Sequence, residues 1–469
     1  MSIDVAVVGA GVSGLSVAYR LVRRGYRVTV LERQVHAGGN AVSQRFGGFL
    51  MEHGPSSVNG AAPVAVDLAR ALGLDTDRCE LGAGVRYRYL VRDGGLHRIP
   101  IHAFGFLTSS YLSFGARVRV AVEALVPARR GPTDETVAGF WRRRFGAEFN
   151  DRVGDPLVAG LFAGRADELS MAAVFPALVE MERRYGSVTR GVLAKRIGHA
   201  RMPGRRLFSW RDGIASLPHA LAARLGPAVR TGIAVRRIGS GANGYRLDLG
   251  RDGILEAKAV VVATQPHVTA GLLDGLDGAA AEAAGEIDAP PLAVVFLGFE
   301  RGAVAHPLDG LGYLTPEAER RPLTGALFCS TMFPGRAPEG HVALAGYIGG
   351  ARAPELARLA ATDLIALARD EFRDLLGARG EPVVARVRQW PRGLPQFRPG
   401  HAERTTAIRD ASRRRPGLFV TGNYFAGASV AACMTQATAT AARVSAYLGD
   451  TGSGSNAGSS TVAISGAMV

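Results

Sequence analysis

The feature that most constrains this chain lies in its first 32 residues: an apolar run, three spaced glycines, a helical stretch, a second apolar run and an acid. Ile3–Val8 reads as a buried strand. It runs into Gly9-Ala10-Gly11-Val12-Ser13-Gly14, and a helix extends from Leu15 to Arg24, closed by Gly25. In that setting Gly9 allows the tight turn, Gly11 lets a pyrophosphate approach the backbone, and Gly14 lets helix and strand pack closely. The phosphates belong at the helix N-terminus. A second strand, Arg27–Leu31, ends at Glu32, where a carboxylate can grip an adenosine ribose. Strand, glycine turn, helix, strand and acid together predict an α/β dinucleotide-binding unit.

The segment after Glu32 favours FAD over NAD. In Glu32-Arg33-Gln34-Val35-His36-Ala37-Gly38-Gly39-Asn40 a second glycine pair comes directly after the ribose acid, placed to lie on the pyrophosphate. Two later apolar runs, Ala259–Thr264 with Pro266 beyond it and Gly417–Asn423 near the end, read as further strands of the same domain. The FAD domain is therefore expected to be discontinuous. The last run leads into the small residues Gly427–Ala432, so a second helix N-terminus is expected to face the flavin ring.

Composition sets the outer limits. With 469 residues, 47% of them hydrophobic, the chain can build a large core, which excludes a disordered chain or a disulfide scaffold. Cys79, Cys329 and Cys433 are odd in number and far apart, so no disulfide framework or Cys-x-x-Cys metal site is expected, and a reducing cytoplasm fits best. The N-terminus lacks the pattern of an export signal. No apolar run is long enough to cross a membrane. The net charge of +15 is carried by arginine, since Lys195 and Lys258 are the only lysines. Residues 86–206 hold twenty arginines and Lys195 against eleven acids, a local excess of +10. Such a region can attract anionic lipid, an acidic small molecule or nucleic acid; no nucleic-acid reading motif accompanies it, so a nucleic-acid partner is not expected.

At this level the chain resembles the oxygen-dependent protoporphyrinogen/coproporphyrinogen oxidases, FAD-containing members of the flavin amine oxidase superfamily. The carriers are GGN at 38–40, EHGPSS at 52–57, RYLVRDG at 88–94, DPLVAGLFAG at 155–164, ELSMAAVFPALVEMERRYGS at 168–187, HPLDGLGYL at 306–314, FPGRAPEGHVALAGYIGGAR at 333–352, WPRGLPQF at 390–397 and GLFVTGNYFAGASVAAC at 417–433. The resemblance implies an α/β fold with three parts. A discontinuous Rossmann-like FAD-binding domain covers 1–84, 205–267 and 408–449. A sheet-based substrate domain covers 85–91 and 268–407, and a helical membrane-associating insertion covers 92–200. Residues 450–469 are polar and small, and are expected to form a disordered tail. In the insertion Phe104–Leu107 and Tyr111–Phe114 alternate with Arg117, Arg119, Arg129 and Arg130, a pattern suited to docking on an anionic membrane surface.

The family's roles carry over residue by residue. Arg88 is the cation expected to bind a substrate propionate, its forked guanidinium suiting a carboxylate. Gly160 is expected to face the pyrroles with its backbone, and Leu311, Leu314 and Tyr347 to sandwich the macrocycle. For FAD the resemblance implies Gly9, Ala10, Gly11, Val12, Ser13, Gly14, Glu32, Arg33, Gly39, Asn40, the turn Gly54-Pro55-Ser56-Ser57, Val235, Trp390 and Ser429-Val430-Ala431. No catalytic side chain and no metal are implied, because the flavin carries the redox chemistry. The implied reaction is oxidation of protoporphyrinogen IX to protoporphyrin IX with O2, releasing hydrogen peroxide, by a cytoplasmic, peripherally membrane-associated enzyme. A homodimer is left open.

Three departures from the family pattern stand out. Ala432 replaces a frequent Asp, Ala437 a common Gly, and Thr324 a usual Leu in the substrate slot. They keep open coproporphyrinogen III as substrate, or a divergent oxidase or desaturase of specialised metabolism. An amine oxidase is disfavoured, because Leu292–Glu300 carries no lysine to hold water near the flavin. A binding protein without turnover would keep the FAD motifs and release no peroxide.

Overall fold

The strand Ile3–Val8 forms and lies inside a seven-stranded sheet. It pairs in parallel with Val28–Glu32 on one side and with Ile254–Val262 on the other. Val229–Thr231 extends the first edge, and Leu418–Val420 pairs in parallel with the end of Ile254–Val262. The antiparallel hairpin Arg237–Gly241 and Gly244–Asp248 closes the far edge. Parallel strands are covered on both faces, which is why Val5–Val7 and Ala259–Val262 read as unbroken apolar runs and are fully buried. The computed structural model describes residues 3–100, 110–129, 131, 134–197 and 207–453.

A second seven-stranded sheet is assembled from the middle of the chain in the order Val384–Trp390, Leu292–Glu300, His341–Gly349, Leu323–Phe328, Gly310–Leu314, Tyr87–Arg92, Gly95–Pro100. All neighbours are antiparallel except Gly310–Leu314 beside Tyr87–Arg92. One face is sealed by the helix Ala361–Leu376, whose buried Leu364, Ala368, Phe372 and Leu375 recur at helical spacing and pack on Tyr89, Val295, Leu297, Tyr313 and Phe328. The other face turns towards the dinucleotide domain, where Val294, Phe296 and Tyr347 meet Phe49 and Met51 of the hairpin Ser43–Phe46 and Phe49–Glu52.

Between the two strands that end this sheet and the return to the first domain lies a set of helices: Phe114–Ala121, Val137–Phe145, Asp155–Phe162, Pro176–Tyr185 and Val188–Ile197. They enclose an aromatic knot of Phe140, Trp141, Phe145 and Phe149. At Gly154 a Cβ would stand 2.5 Å from Trp141 Cδ1, so a glycine is what lets the wide π-type turn Asn150–Gly154 close on the indole. Two boundaries differ from expectation. Gly95–Pro100 is a sheet strand rather than part of the helical insertion, and the last helix, Val430–Ser453, runs four residues into the expected tail. Phe104–Leu107, Arg130 and residues 454–469 lie outside the described residues. Among the described residues no helix is long and apolar enough to cross a membrane.

Candidate active site

The dinucleotide cradle is built from glycines that differ in what requires them. A Cβ on Gly9 would stand 2.7 Å from the Ala263 carbonyl oxygen at φ +104, and one on Gly14 would stand 2.0 Å from the Gly9 carbonyl oxygen. Both are required by the protein's own packing. A Cβ on Gly11 would meet nothing nearer than the Gly39 Cα at 3.9 Å. Close approach at Gly11 is thus left for a ligand, the arrangement a pyrophosphate needs. The second glycine pair lies on the first: Gly38 N–H donates to the Ala10 carbonyl at 2.8 Å, and Gly11 and Gly38 pair as a short parallel bridge. Glu32 is held rigid, its carboxylate accepting the N–H groups of Ala10 at 2.8 Å and Gln34 at 2.9 Å. Val235 lies two residues beyond Ile233, whose N–H donates to the Glu32 carbonyl. Arg33 is exposed and, with Arg392, depresses the His267 pKa after the larger effect of burial.

The second helix N-terminus converges on the first. Ser429 accepts the Ala432 N–H at 3.2 Å, and the Cys433 thiol, pushed up to about 11 by burial, is hydrogen-bonded to Ser13. Val430, Ala431 and Ala437 are buried in one cluster with Ala10 and Leu15. Ala437, a departure from the family pattern, is therefore core and does not border the helix end; Ala432 is only half-buried.

The turn Gly54-Pro55-Ser56-Ser57 seats against the Gly38–Asn40 loop, since a Cβ on Gly54 would stand 2.3 Å from the Asn40 carbonyl oxygen. Trp390, at the end of the second sheet's edge strand, donates its indole N–H to the His53 carbonyl at 2.8 Å. Ser56 borders a small cavity with Leu50, Glu52, Leu327, Cys329, Met332, Phe333 and Arg336. Burial pushes Glu52 up to about 7 despite hydrogen bonds from Ser43 at 2.5 Å and Ile214 N–H at 3.0 Å and the nearby Arg336 guanidinium. Arg336 donates to the Trp210 carbonyl and the Ser209 hydroxyl, tying the segment after the second sheet's strand Leu323–Phe328 to Leu207–Trp210. Sequence reading missed the roles of Glu52, Cys329 and Arg336; Glu52 and Arg336 lie in the quoted motifs and Cys329 does not, and the convergence of all three is a tertiary fact.

On the inner face of the second sheet the expected substrate residues fall into two groups. Gly160 meets Leu314, where an added Cβ would stand 2.3 Å from Leu314 Cδ2. Leu314 pairs with Leu90, two residues beyond Arg88 and on the same face of the strand, so Arg88, Leu314 and Gly160 share one end of the site. Leu161, beside Gly160, is 54% exposed, an apolar side chain left open. Leu311 sits apart, buried with Met332 and Phe333. Tyr347 lies on the middle strand near Glu52 and Cys329, and burial raises its hydroxyl pKa. The Thr324 hydroxyl donates to the Tyr347 carbonyl at 3.3 Å. That departure is therefore satisfied by backbone and does not present an unpaired hydroxyl to the slot.

Arg88 is half-buried, burial lowers its pKa, and it makes no hydrogen bond or ion pair with any described residue. Its neighbours behave otherwise. Arg352 holds Asp155 at 2.6 Å, Arg165 holds Glu317 at 2.7 Å, and Arg92 donates to the Tyr111 carbonyl at 2.6 Å.

A dinucleotide cradle faced by a second sheet, with an indole hydrogen-bonded beside the cradle's turn and a small cavity between them, fits a flavin-dependent oxidoreductase. Comparison with known proteins agrees. The family model of flavin containing amine oxidoreductases matches residues 12–445. Chloroplastic protoporphyrinogen oxidase of Oryza sativa subsp. japonica is 32% identical over 479 residues, covering 96% of this chain and 89% of that one. Coproporphyrinogen III oxidase of Propionibacterium freudenreichii subsp. freudenreichii is 30% identical over 476 residues, covering 92% of this chain and 88% of that one. A solved chain from Exiguobacterium sp. 255-15 superposes with a TM-score of 0.83 at 23% identity, covering 96% and 99%. The chain belongs to the flavin containing amine oxidoreductases and, within them, to the protoporphyrinogen/coproporphyrinogen oxidase family; FAD is its cofactor.

Proposed function

We propose that this chain oxidises protoporphyrinogen IX to protoporphyrin IX, in haem biosynthesis, passing electrons through FAD to O2 and releasing hydrogen peroxide. The observation that carries the reading is Arg88, a desolvated guanidinium without a protein anion among the described residues, at one end of an apolar face whose other edge holds Trp390. A macrocycle with carboxylate arms fits between such groups: the fork binds a propionate, Leu314 and Tyr347 press on the ring, and Leu311 backs the site from its own cluster with Met332 and Phe333. Gly160, lacking a side chain, lets the ring approach the helix backbone. The flavin, when bound, would supply each of the three successive two-electron oxidations, one O2 being reduced to hydrogen peroxide per step. The cradle of Gly9, Gly11, Gly14, Glu32, Gly39, Asn40 and the Gly54–Ser57 turn holds and orients it.

Coproporphyrinogen III is the second reading, because relatives of both names match at about the same identity. Purified holoprotein given each porphyrinogen in air, with porphyrin fluorescence and peroxide followed together, separates them. Protoporphyrinogen IX should react faster; preference for coproporphyrinogen III would reverse the assignment, and FAD without either signal would remove it.

Membrane docking belongs to the same reading. Phe114, Val118, Val122 and Leu125 are 75%, 44%, 38% and 76% exposed and recur at helical spacing along one stretch, beside Arg117 and Arg119. No residue of the helix Phe114–Ala121 is buried. The protein should sediment with anionic vesicles, and Phe114→Asp with Leu125→Asp should release it without changing flavin content.

A further inference from the structure

Arg388 lies in the edge strand Val384–Trp390 and has been given no role so far. Its register partner is Val294, whose other partner is Tyr347, so Arg388 and Tyr347 occupy the same row two strands apart. Arg388 precedes Trp390 by two residues and shares its face of the strand. The guanidinium carbon stands 4.1 Å from the centroid of the Trp390 ring. The Arg388 Nε is buried and has no hydrogen-bond partner, and no described carboxylate forms an ion pair with it. From the Gly54-bearing turn, His53 faces this cation: burial first, then the Arg388 charge, holds the imidazole below its ordinary pKa, and the His53 Nδ1 is likewise buried without a partner. A buried N–H donor with no acceptor in the protein is costly to fold around. Its position is explained if negative charge appears next to it during the reaction.

We infer that Arg388, acting across the Trp390 ring, sets the redox potential of the bound flavin. When a substrate C–H bond breaks, its hydrogen and electron pair pass to the flavin, and the ring gains one negative charge until O2 takes the electrons. A positive charge held nearby in a low-dielectric setting stabilises the reduced ring over the oxidised one and so raises its potential. Trp390 is pinned by its hydrogen bond to His53, which fixes the distance over which the charge acts. Arg388 is thus a positioning residue that works through electrostatics, distinct from the carboxylate clamp assigned to Arg88. The inference rests on Trp390 lying at the flavin, and its first readout, the potential, needs no porphyrinogen.

The test is the midpoint potential of FAD in purified holoprotein, measured against reference dyes, for the native chain and for Arg388→Gln, Arg388→Met and Arg388→Lys. Gln and Met should lower the potential and slow anaerobic flavin reduction by about tenfold. Lys should keep the potential near the native value, and KM for the porphyrinogen should stay unchanged in all three. An unchanged potential in Gln or Met protein with full FAD content overturns the inference. A raised KM at unchanged potential would overturn it in favour of a second carboxylate clamp. If Met impairs folding, the Gln and Lys pair still decides by charge alone, and the porphyrinogen reading survives either result.

Discussion

Two regions of this protein bury arginine, and they treat it in opposite ways. In the helical insertion Arg144 is wholly inaccessible, yet it pairs with Glu123 and with Glu182 and donates to the carbonyls of Val126 and Gly186. Arg143 beside it holds Glu182 at 2.6 Å. On the inner face of the second sheet Arg88 is desolvated and Arg388 buries its Nε without an acceptor, and neither has an anion among the described residues. The carboxylates record the same contrast. Burial alone would raise Glu123 and Glu182, but hydrogen bonds from Ser187 and Thr189 with the Arg144 charge hold Glu123 below the ordinary range, and Arg143, the Arg129 N–H and Arg144 do the same for Glu182. A buried cation with its anion is architecture. One without an anion marks where a ligand or a developing charge belongs.

The largest effect should come from breaking the partnered set. Arg144→Leu strands Glu123 and leaves Glu182 to Arg143 alone, and loss of one partner of a buried pair costs about 3–5 kcal/mol. Thermal unfolding should show a drop of many degrees with flavin content lost in parallel. A variant as stable as the native chain would erase the distinction.

The pH dependence of stability sharpens the contrast from the other side. Burial pushes Glu371 and Glu52 up to about 7; Glu371 has only the Tyr313 hydroxyl at 3.3 Å and Arg321 at 3.8 Å to oppose it. Their folded-state pKa values exceed the unfolded ones, so the folded chain binds more protons between about pH 4.5 and 7. The stability they contribute is complete below that window and is lost as pH rises through about 7, up to about 3 kcal/mol for each. Glu371→Gln should flatten that decline in a series of melting curves; an unaltered slope would contradict it.

Arg88→Leu should leave the melting temperature nearly unchanged, because no hydrogen bond or ion pair is lost, while raising KM for the carboxylated substrate about 10- to 100-fold. Arg88→Lys should recover part of it, having charge without the fork. The smallest effect belongs to Gly160→Ala. The clashing Leu314 Cδ2 is the end of a flexible side chain, so stability should fall by under about 1.5 kcal/mol while KM rises modestly. A change in kcat alone would place Gly160 elsewhere than against the ring.

The dinucleotide half was legible because its constraints are local. Gly9 and Gly14 are required by close backbone contacts, and the strands around them are buried on both faces and read as continuous apolar runs. Glu32 is placed by the same spacing. The substrate half depends on pairings between distant segments. Nothing near Arg88 announces that Tyr87–Arg92 will lie parallel to Gly310–Leu314, or that Gly95–Pro100 will complete the sheet rather than begin the insertion. Arg388 was hidden for a different reason: among so many arginines, only a tertiary environment separates a stacked, partnerless one from a solvated one. Arg144 was invisible in the same way, since its partners Glu123 and Glu182 come from two other elements.

The most direct test of Arg88 as a waiting carboxylate clamp compares two substrates in two proteins: protoporphyrinogen IX and its neutral dimethyl ester, each oxidised by the native chain and by Arg88→Leu, with kcat/KM read from porphyrin fluorescence. The guanidinium should matter only when a carboxylate is present, so the substitution should lower kcat/KM for the diacid about 10- to 100-fold and leave the ester nearly unchanged. An equal loss for both substrates, or for neither, would contradict the account.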